Sequence, residues 1–208
     1  MRLNVTSEIG KLRSVLIHQP GREIDDMIPP MMAQLLFDDI LYGQVAREEH
    51  RRFQQLIRFV AEDVFEIQDL LEEVFDDEEI RRIILRDFIR RNRLGRRVAG
   101  ELKRLRPAAL AEVLIGGIPN EKKQSGDLPS FDLFPVPNFF FMRDPQVVMG
   151  DGVIISGMAT QARRREALLS KYVFQFHKNF RDDARFHADF MASGEPERPM
   201  PPRVPTLE

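Results

Sequence analysis

The stretch Pro137-Asn138-Phe139-Phe140-Phe141-Met142-Arg143-Asp144-Pro145 sets an amide, a cation and a carboxylate among apolar and turn-forming residues. Four apolar residues in a row, bounded by prolines, read as a short buried strand that delivers Asn138, Arg143 and Asp144 to places where the backbone turns. An ionised carboxylate stripped of water costs on the order of several kcal/mol unless it is paired, so a buried Asp144 needs a cation. Arg143 supplies one, and a small polar ligand is the alternative. On spacing alone, a structural turn closed by Asn138 or by an Arg143–Asp144 pair is an equal reading.

Working outward, Val147-Val148-Met149, Gly150-Asp151-Gly152 and Val153-Ile154-Ile155 form a predicted hairpin around a turn that tolerates positive φ, and a helix is predicted from about Thr160. Upstream, residues 119 to 130 are rich in Lys, Ser, Gly, Asp and Pro and read as a solvated loop. Residues 68 to about 117 read as a packed group of short helices punctuated by Gly95, Gly100 and Pro107 and ending at Gly116-Gly117. Within that group, Ile80, Ile83, Ile84 and Phe88 supply a buried stripe. Before it, Val15-Leu16-Ile17 is a strand leading into the Pro20-Gly21 turn, and Phe53, Leu56, Ile57 and Val60 form the apolar face of a helix after Gly43. Val64-Phe65-Glu66-Ile67 is a second strand. Pro196, Pro199, Pro201, Pro202 and Pro205 deny helix and central strand to the last stretch, which reads as extended or disordered.

Composition narrows the classes of function. At 208 residues and 43% hydrophobic content the chain is long enough for one sizeable core or two small ones. It offers no apolar run long enough for a membrane span and no secretory leader, which predicts a cytoplasmic protein that does not engage membranes. With no cysteine, the chain has no disulfides, thiolate metal sites or thiol nucleophiles of its own. Residues 62 to 79 hold ten acidic side chains and no Lys or Arg, whereas 81 to 106 hold eleven basic and two acidic ones. The adjoining blocks offset one another and the net charge is −2, so nucleic acid is not an expected partner. Asp76, Asp77, Glu78 and Glu79 suit a helix start, where negative charge complements the dipole. His50 reads as a core residue of its helix, and His177 and His187 lack acidic residues at metal-ligand spacing, so no metal is expected.

The central stretch resembles the PN-x-x-F-x-RD signature of arginine deiminases, a guanidine-modifying branch of the pentein superfamily. Leu36-Phe37-Asp38-Asp39-Ile40 followed by Glu49-His50, Ala162-Arg163-Arg164, and Leu12 to Gly21 are similar to the same family, so the resemblance covers residues 1 to about 180. It implies an α/β fold, a partial α/β propeller of ββαβ modules. Residues 1–67 would form its first part, 68–129 a helical insertion, and 130–208 its continuation, with a Pro-rich tail from about 195. It further implies conversion of L-arginine and water to L-citrulline and ammonia without a cofactor. The nucleophilic Cys and the catalytic His of the family would lie beyond this chain, which on that reading is truncated.

Recognition of such a substrate needs carboxylates for the planar cation and an Arg for the α-carboxylate, since both pairings can be bidentate. By resemblance Asp144 holds the guanidinium as a catalytic and substrate-binding residue, Arg163 binds the carboxylate and Asn138 adds a neutral hydrogen bond. Asp38 and Phe141 help to cover or line the site. Glu208 falls where the catalytic Glu of the family's Glu-Gly-Gly-Asp motif would begin, although a terminal Leu-Glu is equally a residue of cloning. From composition alone, Arg163-Arg164-Arg165 read as a solvated helix face. Two other classes stay open: a related agmatine deiminase or amidinotransferase, and a non-catalytic binding or interaction module whose unpaired strand edges favour homo-oligomers.

Overall fold

The computed structural model describes residues 1–125 and 128–192, with side chains described outside 121–130. The Pro-rich tail and Glu208 lie outside the described residues. The chain is a mixed α/β structure with small sheets.

Strand β1 (Ser14–Ile17) leads through the Pro20-Gly21 turn into the short helix α1 (Arg22–Asp25), a 3-10 turn at Pro29–Met31 and the short helix α2 (Met32–Leu35). Helix α3 (Gly43–Val60) then returns the chain to β2 (Asp63–Glu66), which pairs in parallel with β1 from Ser14↔Asp63 to Ile17↔Glu66. Parallel neighbours require such a crossover, because a tight turn cannot reverse the chain twice.

Four helices follow: α4 (Ile67–Asp76), α5 (Glu78–Arg91), α6 (Arg96–Leu102) and α7 (Pro107–Gly116). Ile67, Leu70, Leu71, Val74 and Phe75 of α4 recur at helical spacing and are all buried. Asp77 caps α5, its carboxylate accepting from the backbone N–H groups of Glu79 at 2.9 Å and Ile80 at 3.0 Å. That is the role expected for an acidic residue at a helix start. The α5 stripe departs from expectation at one position: Ile83 is exposed, and Leu85 is buried with Ile84 and Phe88.

The segment expected as a solvated loop is instead an antiparallel hairpin of β3 (Ile118–Ser125) and β4 (Leu128–Leu133). Its turn-forming composition obscured the pairing, which is irregular between Asn120 and Ser125. The stretch expected as a buried strand is also different. Pro137–Phe140 is a 3-10 helix followed by a tight turn. Pro137 pre-sets the first helical φ, and an apolar run of four does not by itself separate strand from buried turn.

Strands β5 (Gln146–Met149) and β6 (Gly152–Ile155) form the expected hairpin, with Gly150 at φ 57°. A 3-10 turn at Gln161–Arg163 opens helix α8 (Arg164–Phe176), which carries the chain to β7 (Arg185–Asp189), parallel to β6. One buried cluster joins α4, α5, α7 and α8 to β6 and to Val136 and Phe139 of the central stretch. Leu35 of α2 belongs to a smaller cluster with Met27 and Met31, and in helix α3 Gly43 and Ile57 are buried but Phe53, Leu56, Phe59 and Val60 are exposed.

Candidate functional site

The central stretch is fixed at both ends before any polar group is placed. The Val136 N–H donates to the Ile115 carbonyl at the end of α7 (3.0 Å), and the Ser156 N–H after β6 donates to the Pro145 carbonyl (3.0 Å). Between them, the Phe139 N–H donates to the Val136 carbonyl, that of Phe141 to Asn138 and that of Asp144 to Phe141, at 3.0–3.1 Å. These bonds wind the backbone into successive tight turns. Phe139 is driven fully into the core, whereas Phe141 stays half exposed against Phe140, with ring centroids 4.1 Å apart.

Asn138 is buried, and its amide nitrogen donates to the Leu35 carbonyl at 2.7 Å, tying the turn to the end of α2. Leu36, next along, adopts φ 63° to end that helix, and Asp38 lies exposed in the bend beyond. Asp144 emerges from the last turn with its side chain 49% exposed, so it is not the buried carboxylate expected from its apolar neighbours. Nor does Arg143 pair with it. Arg143 forks outward onto Glu8 at 2.7 and 2.9 Å, a surface pair of small energetic weight.

The partner of Asp144 is Arg163. Its Nη1 donates to Asp144 Oδ2 at 2.8 Å, its Nη2 reaches the Asn138 carbonyl at 3.4 Å, and its guanidinium carbon lies 5.9 Å from the Phe141 ring centroid. The remaining face of the guanidinium is held by Glu166, which accepts from Nε at 3.0 and 3.2 Å and from Nη2 at 2.8 Å. Four residues expected to share a site, Asn138, Phe141, Asp144 and Arg163, are therefore brought together. Asp38 is exposed in the loop after α2, and that segment is tied to the cluster at the Leu35 carbonyl, three residues earlier.

Glu166 and Arg165 were not singled out from the sequence. Glu166 is fully buried, and burial pushes its carboxyl up to about 7 although Arg163 pulls the other way. Burial works against the charge on Arg163 too, but Glu166 and Asp144 more than compensate and hold its pKa above the ordinary value. Arg165 is buried rather than solvated. Its Nη2 donates to the Phe134 and Pro135 carbonyls, anchoring the chain as it enters the 3-10 helix, and burial lowers it to about 10. The one available signal was the Arg163-to-Glu166 spacing, which places the two side chains on one face of a helix. Among the described residues, no group of three or more His, Asp or Glu is arranged to hold a metal ion, and no helix is long and apolar enough to cross a membrane.

The arginine deiminase family model matches residues 33–198, which contain every member of this cluster. The chain belongs to the arginine deiminase family. It is 34% identical over 196 residues to an arginine deiminase of Staphylococcus haemolyticus (strain JCSC1435) and 34% identical over 202 residues to that of Clostridium perfringens (strain SM101 / Type A). It is also 35% identical over 196 residues to arginine deiminase 1 of Staphylococcus epidermidis (strain ATCC 12228 / FDA PCI 1200). In each case 86% of this chain aligns with 47% of the relative. The chain thus spans about half the length of the curated arginine deiminases it matches.

Proposed function

We propose that these residues form the substrate-gripping part of an arginine deiminase, which hydrolyses L-arginine to L-citrulline and ammonia. The Asp144–Arg163 pair carries this reading. It sets an accessible carboxylate beside a guanidinium whose other donors are already committed, which is the complement of an amino acid bearing a cation at one end and a carboxylate at the other. On binding, the substrate guanidinium takes Asp144, the substrate carboxylate takes Nη1 of Arg163, and one internal ion pair is exchanged for two intermolecular ones. Asn138 keeps the turn in register from below, and Phe141 covers the guanidinium of Arg163.

With no cysteine in these 208 residues, the attacking thiolate of the family comes from the part of the relatives' length that this chain does not span. A partial α/β propeller is the proposed architecture. It is supported by the order β5–β6–α8–β7 with β6 and β7 parallel, a ββαβ arrangement, and by the parallel β1–β2 pair bridged through α3.

The test is a titration of the 208-residue chain, following the Nε–H signal of Arg163 by NMR. L-Arginine is expected to move it, and agmatine, which lacks the carboxylate, to move it far less. Equal responses to both ligands would remove the assignment of Arg163, and no response to either would remove the site.

A further inference from the structure

A second charged cluster lies beneath the signature turn. His18, at the end of β1, is 1% exposed, and both of its ring nitrogens face carboxylates: Nδ1 lies 2.8 Å from Glu66 Oε1 and Nε2 lies 3.2 Å from Glu23 Oε1. A neutral imidazole has one donor and one acceptor nitrogen, so it would point a lone pair at one of these oxygens. Only the doubly protonated ring donates to both.

The carboxylates are themselves held by backbone. Glu66 Oε2 accepts from the Gln19 N–H at 2.9 Å, and Glu23 Oε1 accepts from the Gly21 N–H at 2.5 Å. The imidazole thus joins the end of β1, the Pro20-Gly21 turn, α1 and the end of β2. It also packs against the fully buried ring of Phe139, with centroids 5.2 Å apart and planes inclined by 50°. Phe139 follows Asn138 directly in the 3-10 helix.

We infer that His18 is a positioning residue: an imidazolium clasped by Glu23 and Glu66 that fixes, through Phe139, the turn carrying Asn138 and Asp144. This rests on reading that turn as the ligand-binding surface. The other titratable groups around the cluster are His50 of α3, which feels both Glu66 and His18, and Asp69 of α4, which feels Glu66. Burial alone would lower the His18 pKa, but the two carboxylates overcome it and raise it to about 9. Its proton is therefore retained at neutral pH and leaves only in alkali, at which point the clasp opens.

The test uses the wild-type chain, with histidine ring nitrogens and the Asn138 side-chain amide observed by NMR from acid to about pH 10. His18 is expected to be doubly protonated at neutral pH and to titrate near pH 9, with the Asn138 amide signals moving at the same midpoint. Glu66→Gln is expected to weaken proton binding at His18 by about tenfold or more, shifting both midpoints down together. If that variant fails to fold, the wild-type titration alone decides. A neutral His18 at pH 7 overturns the inference, and so does an Asn138 signal that stays still while His18 titrates. Neither readout involves arginine, so failure of the proposed substrate site leaves this result intact, and the converse holds too.

Discussion

At the scale of the residue, Arg163 and Glu166 show what sequence can and cannot say about a site. Arg163 lies in a run of three arginines whose composition suggests a solvated face, and only its register with Asp144 marks it out. Its energetic importance comes from Glu166, a carboxylate with no exposure to water, and nothing in a Glu three residues along a helix announces burial. Arg163→Ala leaves that carboxylate without its cation. Breaking a buried pair from one side costs about 3–5 kcal/mol. The loss has a pH dependence whose sign follows from the raised pKa of Glu166. A carboxyl whose folded pKa lies above its unfolded value favours the folded state most when protonated, and that advantage fades as pH rises through about 7. Urea unfolding of Arg163→Ala is therefore expected to show a much larger deficit against wild type near pH 8 than near pH 5, because at the lower pH Glu166 is neutral and needs no partner. A deficit independent of pH would mean that Arg163 acts through packing alone. Asp144, half exposed, is expected to tolerate Asn with little change in the same urea unfolding, which separates a ligand-facing carboxylate from a structural one.

At the scale of the element, what was legible depended on whether the signal was local. The Asp77 cap and the hairpin at Gly150 are both written within a few consecutive residues, and the structure has each of them where the sequence points, whereas Ile67, which reads as the end of a strand, opens α4. The β3–β4 hairpin was hidden because its partners are chosen across an irregular register rather than by alternation. The central stretch reads as a strand for a related reason: Phe139 and Met142 are buried as a strand's residues would be, but by turns whose anchoring partners, Ile115 and Ser156, lie outside the run. The end of α7 shows such an anchor at its tightest. Gly117 has φ 82°, and a β-carbon there would stand 2.6 Å from the Leu133 carbonyl oxygen and 2.7 Å from the Pro135 nitrogen. Gly117→Ala is accordingly expected to cost more than the roughly 1 kcal/mol of an unfavourable φ, since backbone on the β4 side must also give way. Thermal melts would show the loss. An unchanged melting temperature would mean that β4 yields freely.

At the scale of the whole molecule, one buried cluster unites most of the helices with the signature turn, while α3 presents Phe53, Leu56, Phe59 and Val60 at 54%, 66%, 87% and 61% exposure. The sequence correctly marked most of these as one face of a helix, but amphipathic spacing cannot say whether anything covers that face. Exposed apolar area of this kind drives association. Sedimentation of the 208-residue chain is expected to show self-association that grows with concentration, and Leu56→Lys with Phe59→Lys is expected to reduce it while leaving the unfolding free energy within about 0.5 kcal/mol. A wild-type monomer at the same concentrations would refute this.

The parallel pairing of β1 with β2 has a consequence in time. β1 cannot pair with β2 until residues 18–62 have closed into a loop behind it, and that closure costs chain entropy before any pairing offsets it. The His18 clasp joins the two ends of that loop. The floor under the signature turn is therefore expected to stay open until that loop has closed.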